Sequence, residues 1–119
     1  MNPSIAAATS DSHSSKHAIF SFFSGAGFLD LGFETSGFEV VFANEINKEF
    51  VSGYVHSRKT MGLPLPSLGI ACDSIDHHLT PEASKKMAAD IARIRKAGQT
   101  VGFIGGPPCP DFSVGGIVW

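Results

Sequence analysis

The feature that most constrains this chain is an alternation: short apolar runs that end in glycine or proline turns, separated by stretches with helical periodicity. Residues 18–23 (AIFSFF) form an aromatic-rich run that stops at Gly25-Ala26-Gly27, the pattern of a buried strand entering a tight turn. Residues 28–36 suit a short helix closed by Gly37 as its cap. Residues 38–43 (FEVVFA) give a second strand. Residues 47–58 place Phe50, Val51, Tyr54 and Val55 on one helical face. A loop with two Pro and two Gly covers residues 60–69, and residues 70–72 form a brief third strand. Thr80-Pro81-Glu82 supplies an N-cap, a first-turn proline and a first-turn acid for a helix with Ala83, Met87, Ile91 and Ile94 along one side. Gly98 closes that helix, and residues 101–104 make a fourth strand. Strand–helix alternation of this kind implies an α/β fold built on a parallel sheet with right-handed crossovers.

Composition narrows the class. Of 119 residues, 43% are hydrophobic and 17% charged, which is the balance of a globular domain. The first sixteen residues hold five Ser and no apolar period, and they are expected to form a disordered tail ahead of one domain over residues 17–119. A formal charge of −2 argues against strong autonomous binding to nucleic acid, because Lys and Arg supply most non-specific affinity for phosphates. Two cysteines, Cys72 and Cys109, are too few for a disulfide scaffold. With no secretory leader pattern, a reducing cytoplasmic location is expected. His77-His78 lacks ligand-spaced partners and reads as solvent-exposed, and Lys85, Lys86, Arg93, Arg95 and Lys96 read as a solvated helix face.

Three places carry chemistry. Phe23, Ser24, Gly25, Ala26 and Gly27 lie after the first strand, where an open α/β sheet binds nucleotide-like ligands. The third glycine of a dinucleotide fingerprint would fall at position 30, which is Asp30, so the pyrophosphate version is not met. The turn therefore suits a ligand without pyrophosphate, such as S-adenosylmethionine, or else it is a plain tight turn. Glu45 follows the second strand, eighteen residues beyond Gly27. It either accepts the two hydroxyls of a ribose or sits as an acid favoured by a helix N-terminus. Paired with the glycine turn, the ribose role is preferred. Asp73 after the third strand either accepts from an adenine amino group or caps a turn. The third place is Gly105-Gly106-Pro107-Pro108-Cys109-Pro110-Asp111-Phe112-Ser113. Three prolines stiffen the backbone around one Cys, making burial in a regular element unfavourable and a nucleophilic thiolate attractive.

These segments resemble the DNA (cytosine-5)-methyltransferase family. Residues 22–33 (FFSGAGFLDLGF) are similar to its first motif, Asn44-Glu45 to its second, Asp73-Ser74-Ile75 more loosely to its third, and residues 105–113 to its fourth. The resemblance implies S-adenosyl-L-methionine as cofactor, held by Phe23 to Gly27, Glu45, Asp73 and Pro107, with Cys109 as the catalytic nucleophile. It also implies DNA as substrate and a place in DNA methylation, as in restriction-modification enzymes. In that chemistry the Cys thiolate adds to carbon 6 of a flipped-out cytosine and activates carbon 5. Carbon 5 then accepts the methyl group, and loss of its proton expels the thiolate.

The family's later motifs have no counterpart before Trp119, so the expectation is an N-terminal portion of the catalytic domain, about four strands in the order 3-2-1-4. A complementary C-terminal methyltransferase chain is then an expected partner. The fourth strand would lie at a sheet edge, which invites pairing with another chain. In that order Cys72 and Cys109 lie about three strand spacings apart, too far for a disulfide. Two rival readings stand beside this one: a non-catalytic cofactor-binding subunit or remnant of a split methyltransferase, and an unrelated nucleotide-binding α/β domain.

Overall fold

A computed structural model describes residues 17–107. The expectations for the first sixteen residues, for Cys109 and for a Cys72–Cys109 pair lie outside the described residues. The elements run β1 (His17–Phe22), α1 (Phe28–Thr35), β2 (Glu39–Asn44), α2 (Lys48–Met61), β3 (Ile70–Ala71), a 3-10 turn (Ile75–His78), α3 (Pro81–Lys96) and β4 (Thr100–Gly105). All four strands pair in parallel, in the order β3-β2-β1-β4, as expected.

The β1–β2 register slips by one residue. Ile19 pairs with Val40 but Phe20 pairs with Phe42, so Val41 is the extra residue of a bulge. One face of the sheet carries Ala18, Phe20 and Phe42 against Ile94, with Met87, Ile91 and Val101 packed around them. Phe20 and Phe22 each meet Phe42 and Phe103 with ring centroids 5.4–5.9 Å apart, which accounts for the phenylalanine-rich strands.

Helix ends follow local rules. After α1, Gly37 N–H donates to Glu34 O and Phe38 N–H to Phe33 O, with Gly37 at φ +96°. This is a Schellman cap, and the Phe33 and Phe38 rings meet edge to face beside it at 5.3 Å. The same bond pattern closes α2 at Gly62 and α3 at Gly98. Thr80 caps α3 by accepting from Ala83 N–H at 3.2 Å, with Pro81 in its first turn.

Two expectations for α2 change. Helix α2 runs to Met61, three residues further than its apolar pattern indicated, and Asn47 is its cap rather than its first residue. Its inward face also differs. Phe50 is 49% exposed, whereas Arg58 is buried beside Tyr54. Arg58 is tolerated there because its guanidinium donates to Pro64 O at 2.6 Å, pairs with Glu34 of α1, and lies 4.9 Å from the centre of the Tyr54 ring. Burial works against that charge, but the bonds to Glu34 and the nearby Tyr54 outweigh it and hold the pKa above its ordinary value. On α3, the basic residues Lys85, Lys86, Arg93, Arg95 and Lys96 are exposed as expected, with Lys86 and Arg93 flanking Asp90.

Candidate cofactor site

The carboxyl edges of β1, β2 and β3 converge on the glycine turn. β1 ends one residue before the expected strand end because Phe23 adopts φ +53°, a left-handed conformation uncommon for a bulky residue. Ser24 N–H donates to Asn44 O at 3.1 Å and Gly27 N–H to Ser24 O at 3.0 Å, so the turn is tied to β2 and closed on itself. Gly27 begins α1 at φ +94°, and a Cβ there would lie 2.8 Å from the Tyr54 ring. Gly25, at φ +58°, has nothing within 4 Å of an added Cβ, so its outer side is open. Glycine is needed at 27 for close packing and at 25 for backbone conformation.

Beneath the turn lies a network that sequence reasoning missed. Asp30 is fully buried and accepts from Ser21 Oγ and from Tyr54 Oη, each at 2.6 Å. Burial pushes the Tyr54 phenol well above its usual range, and the bonded Asp30 carboxylate adds to this, so the hydroxyl stays a donor. In the sequence Asp30 registers only as an acid where a dinucleotide fold has glycine. The three side chains bind β1, α1 and α2 to one another directly under the turn.

Glu45 stands at the end of β2. Its Oε1 accepts from Gly25 N–H at 2.9 Å and its Oε2 from Asn47 N–H at 2.8 Å. One carboxylate therefore bridges the glycine turn and the cap of α2. Each oxygen keeps acceptor capacity for a further donor.

Asp73 follows β3, and its carboxylate is already engaged. Oδ1 accepts from Asn44 Nδ2 at 2.8 Å and faces His78 Nε2 at 2.8 Å, while His77 Nδ1 lies 3.6 Å from Oδ2. Partial burial alone would raise its pKa, but the bond to His78 and the proximity of His77 outweigh it and hold the carboxyl below its usual range. The expectation for the histidine pair is corrected here. His77 is exposed, but the His78 side chain is only 17% exposed, because the 3-10 turn folds it inward with its edge against Phe42. Asn44, 2% exposed, also has Nδ2 2.9 Å from Ala71 O and 3.0 Å from Asp73 O, so its two hydrogens are shared among three acceptors and tie the β3 exit to β2.

Phe23, Asn44, Glu45, Ile46, Asp73, Ser74 and Ile75 line a small cleft of about 80 Å³. Phe23 and Ile75 also border a mainly apolar groove of about 570 Å³ between α3 and the ends of β1 and β4, where Pro107 lies. The polar groups thus sit in the cleft and the apolar wall beside it, the usual make-up of a small-molecule site. Of the residues expected to form the site, Phe23, Glu45 and Asp73 come together in the cleft, while Ser24, Gly25 and Gly27 build the turn beside it. Ser24 is itself buried, Ala26 is half-buried within the turn, and Pro107 borders only the groove.

Comparison with known proteins adds the family. The family model for C-5 cytosine-specific DNA methylase matches residues 17–118. The type II methyltransferase M.NmeDI of Neisseria meningitidis serogroup C is 52% identical over 101 residues, covering 85% of this chain and 24% of that protein. The DNA (cytosine-5-)-methyltransferase M.ApeKI of Aeropyrum pernix is 38% identical over 105 residues, covering 84% of this chain and 21% of that protein. The type II methyltransferase M.FnuDI of Fusobacterium nucleatum is 34% identical over 100 residues, 82% of this chain and 22% of that protein. This chain therefore spans about a quarter of the length of the curated relatives it matches. No solved structure matches. A match over residues 17–118, joined to a parallel sheet that gathers the glycine turn, Glu45 and Asp73 at one edge, means that the chain belongs to the C-5 cytosine-specific DNA methylase family.

Proposed function

We propose that this segment supplies the S-adenosyl-L-methionine site and, at Cys109, the nucleophile of a DNA (cytosine-5-)-methyltransferase. The observation that carries the reading is the Glu45 carboxylate, fixed by one backbone N–H on each oxygen beside the open face of Gly25. Held in this way it can accept two adjacent ribose hydroxyls. Asp73 accepts from the adenine amino group, Phe23 and Ile75 flank the purine, and Pro107 closes the side nearest the cytosine. When bound, the cofactor supplies a methyl group on a sulfonium. The protein's task is to orient that methyl towards carbon 5 while the Cys109 thiolate adds to carbon 6.

Charge and length bear on the partners. A formal charge of −2 gives this segment little hold on phosphates, so elements outside it bind the DNA and present the flipped cytosine. β4 is paired only with β1 among the described residues, and Phe103 on it is 57% exposed. That edge suits a further strand from the remaining methyltransferase sequence, whether continuous with this chain or carried on a complementary C-terminal chain. The same two observations also fit the second reading, a cofactor-binding subunit that does not turn over.

Calorimetry with S-adenosylmethionine tests the site: Glu45→Ala should weaken binding at least tenfold, and unchanged affinity would remove Glu45 from it. Combined with the complementary methyltransferase region, the chain should methylate DNA and form a covalent adduct with 5-fluorocytosine DNA, because fluorine blocks the release step. Cys109→Ser should abolish the adduct and Cys72→Ser should leave it. Cofactor binding with no adduct would select the non-catalytic reading.

A further inference from the structure

The Asp73 carboxylate has two unlike oxygens. Oδ1 is held by Asn44 Nδ2 and His78 Nε2, both at 2.8 Å, whereas Oδ2 has only the more distant and exposed His77 Nδ1, at 3.6 Å, as an ion-pair partner among the described residues. Asp73 borders the small cleft, but His78 does not. His78 lines the apolar groove and a second pocket beneath α3, with its edge on the Phe42 ring. It therefore grips the carboxylate from outside the cleft.

An ionised carboxylate accepts hydrogen bonds but cannot donate them, so for Asp73 to accept from His78, Nε2 must carry the proton. Donors on Oδ1 favour the ionised form, in keeping with the lowered Asp73 pKa. Two donors on one oxygen also fix the rotation of the group, which leaves Oδ2 as the acceptor for a ligand in the cleft. We propose that His78 is a positioning residue for base specificity: by holding Oδ1 of Asp73, it presents Oδ2 as a fixed acceptor that selects a 6-amino purine over a 6-oxo purine. A 6-oxo group would set an acceptor against an acceptor, and sites built around one hydrogen-bonding group reject ligands that lack its complement. The assignment rests on the cofactor reading above.

The test compares equilibrium binding of S-adenosylhomocysteine and S-inosylhomocysteine to the chain combined with the complementary methyltransferase region. The unsubstituted chain should prefer the adenosyl compound by about tenfold or more, the size expected for one hydrogen bond to a charged group. His78→Phe and His78→Met keep an apolar contact on Phe42 but remove the donor, and each should shrink that preference to about threefold or less. His78→Gln keeps an N–H donor and should retain most of it. A uniform loss of affinity for both compounds, with their ratio preserved in either donor-less variant, would overturn the positioning role. Equal affinity of the unsubstituted chain for both compounds would overturn it without any variant. Failure of S-adenosylhomocysteine to bind at all would overturn the cofactor reading itself.

Discussion

Replacing Tyr54 by Phe removes one oxygen from the most deeply buried polar network in the fold. The ring can stay where it is, 1% exposed, still packed on Gly27 and under Arg58. What disappears is the hydroxyl that donates to Asp30 Oδ2 at 2.6 Å. Asp30 is 0% exposed, so water does not replace the lost donor, and Ser21 remains its one side-chain hydroxyl partner among the described residues. A hydrogen bond to a charged group contributes about 1.5–3 kcal/mol, part of which is offset because the phenol no longer has to be desolvated. The expected destabilisation is about 2 kcal/mol, lowering the Tm of a domain this size by roughly 10 °C. By contrast, the Lys86–Asp90 pair, four residues apart on α3 with Lys86 exposed, should contribute only about 0.3–0.5 kcal/mol. Thermal and urea unfolding of Tyr54→Phe and Lys86→Ala, followed by circular dichroism, gives both numbers in one experiment. If the two variants unfold within about 0.5 kcal/mol of each other, the claim that Asp30 depends on the Tyr54 hydroxyl is wrong.

Gly27→Ala should be more severe, since the added Cβ meets the Tyr54 ring at 2.8 Å on a backbone at φ +94°; a loss above about 2 kcal/mol in urea unfolding is expected. Gly25→Ala meets no atom but must hold φ +58°, so it should lose only about 1 kcal/mol. For pH, the sign follows from Asp73, whose pKa is lowered on folding. Its contribution is fully present above the unfolded carboxylate value near 3.9 and is lost as pH falls through the lower folded value. A carbon-detected NMR titration of the Asp73 carboxyl should therefore show a midpoint below that of an unfolded peptide, and His78→Phe should move it upward.

Much of the fold is legible locally. The strands declare themselves by short apolar runs, and Gly37, Gly98, Thr80 and Pro81 mark helix ends because capping involves only residues within one turn of each other. The parallel order of the strands follows from the same alternation once the family resemblance supplies the sequence 3-2-1-4. What stays hidden depends on partners distant in sequence. Arg58 looks like a surface cation on α2 until Glu34 of α1 and the Pro64 carbonyl are brought to it. Phe50 fits the apolar face by spacing, yet the helix rotates so that Tyr54 reaches Asp30, and Phe50 is left half-exposed. His78 has no periodic signal, because a four-residue 3-10 turn sets its direction.

The same limit applies to the three acids near the glycine turn, and exposure separates their tasks. Asp30, Glu45 and Asp73 each accept hydrogen bonds from at least two groups, and in every case those donors come from separate segments of the chain. For Asp30 both oxygens are engaged at 0% exposure, so no ligand reaches its remaining lone pairs and it acts as an anchor. Glu45 and Asp73 border the cleft, and each keeps acceptor capacity that a ligand can use. Sequence position puts the last two at the sheet's carboxyl edge, where the structure has them, because a residue just past a parallel strand must lie there. It could not rank them against Asp30, since whether an acid supports the turn or serves the ligand is decided by which helix closes over it, and here that helix is α2 with Tyr54.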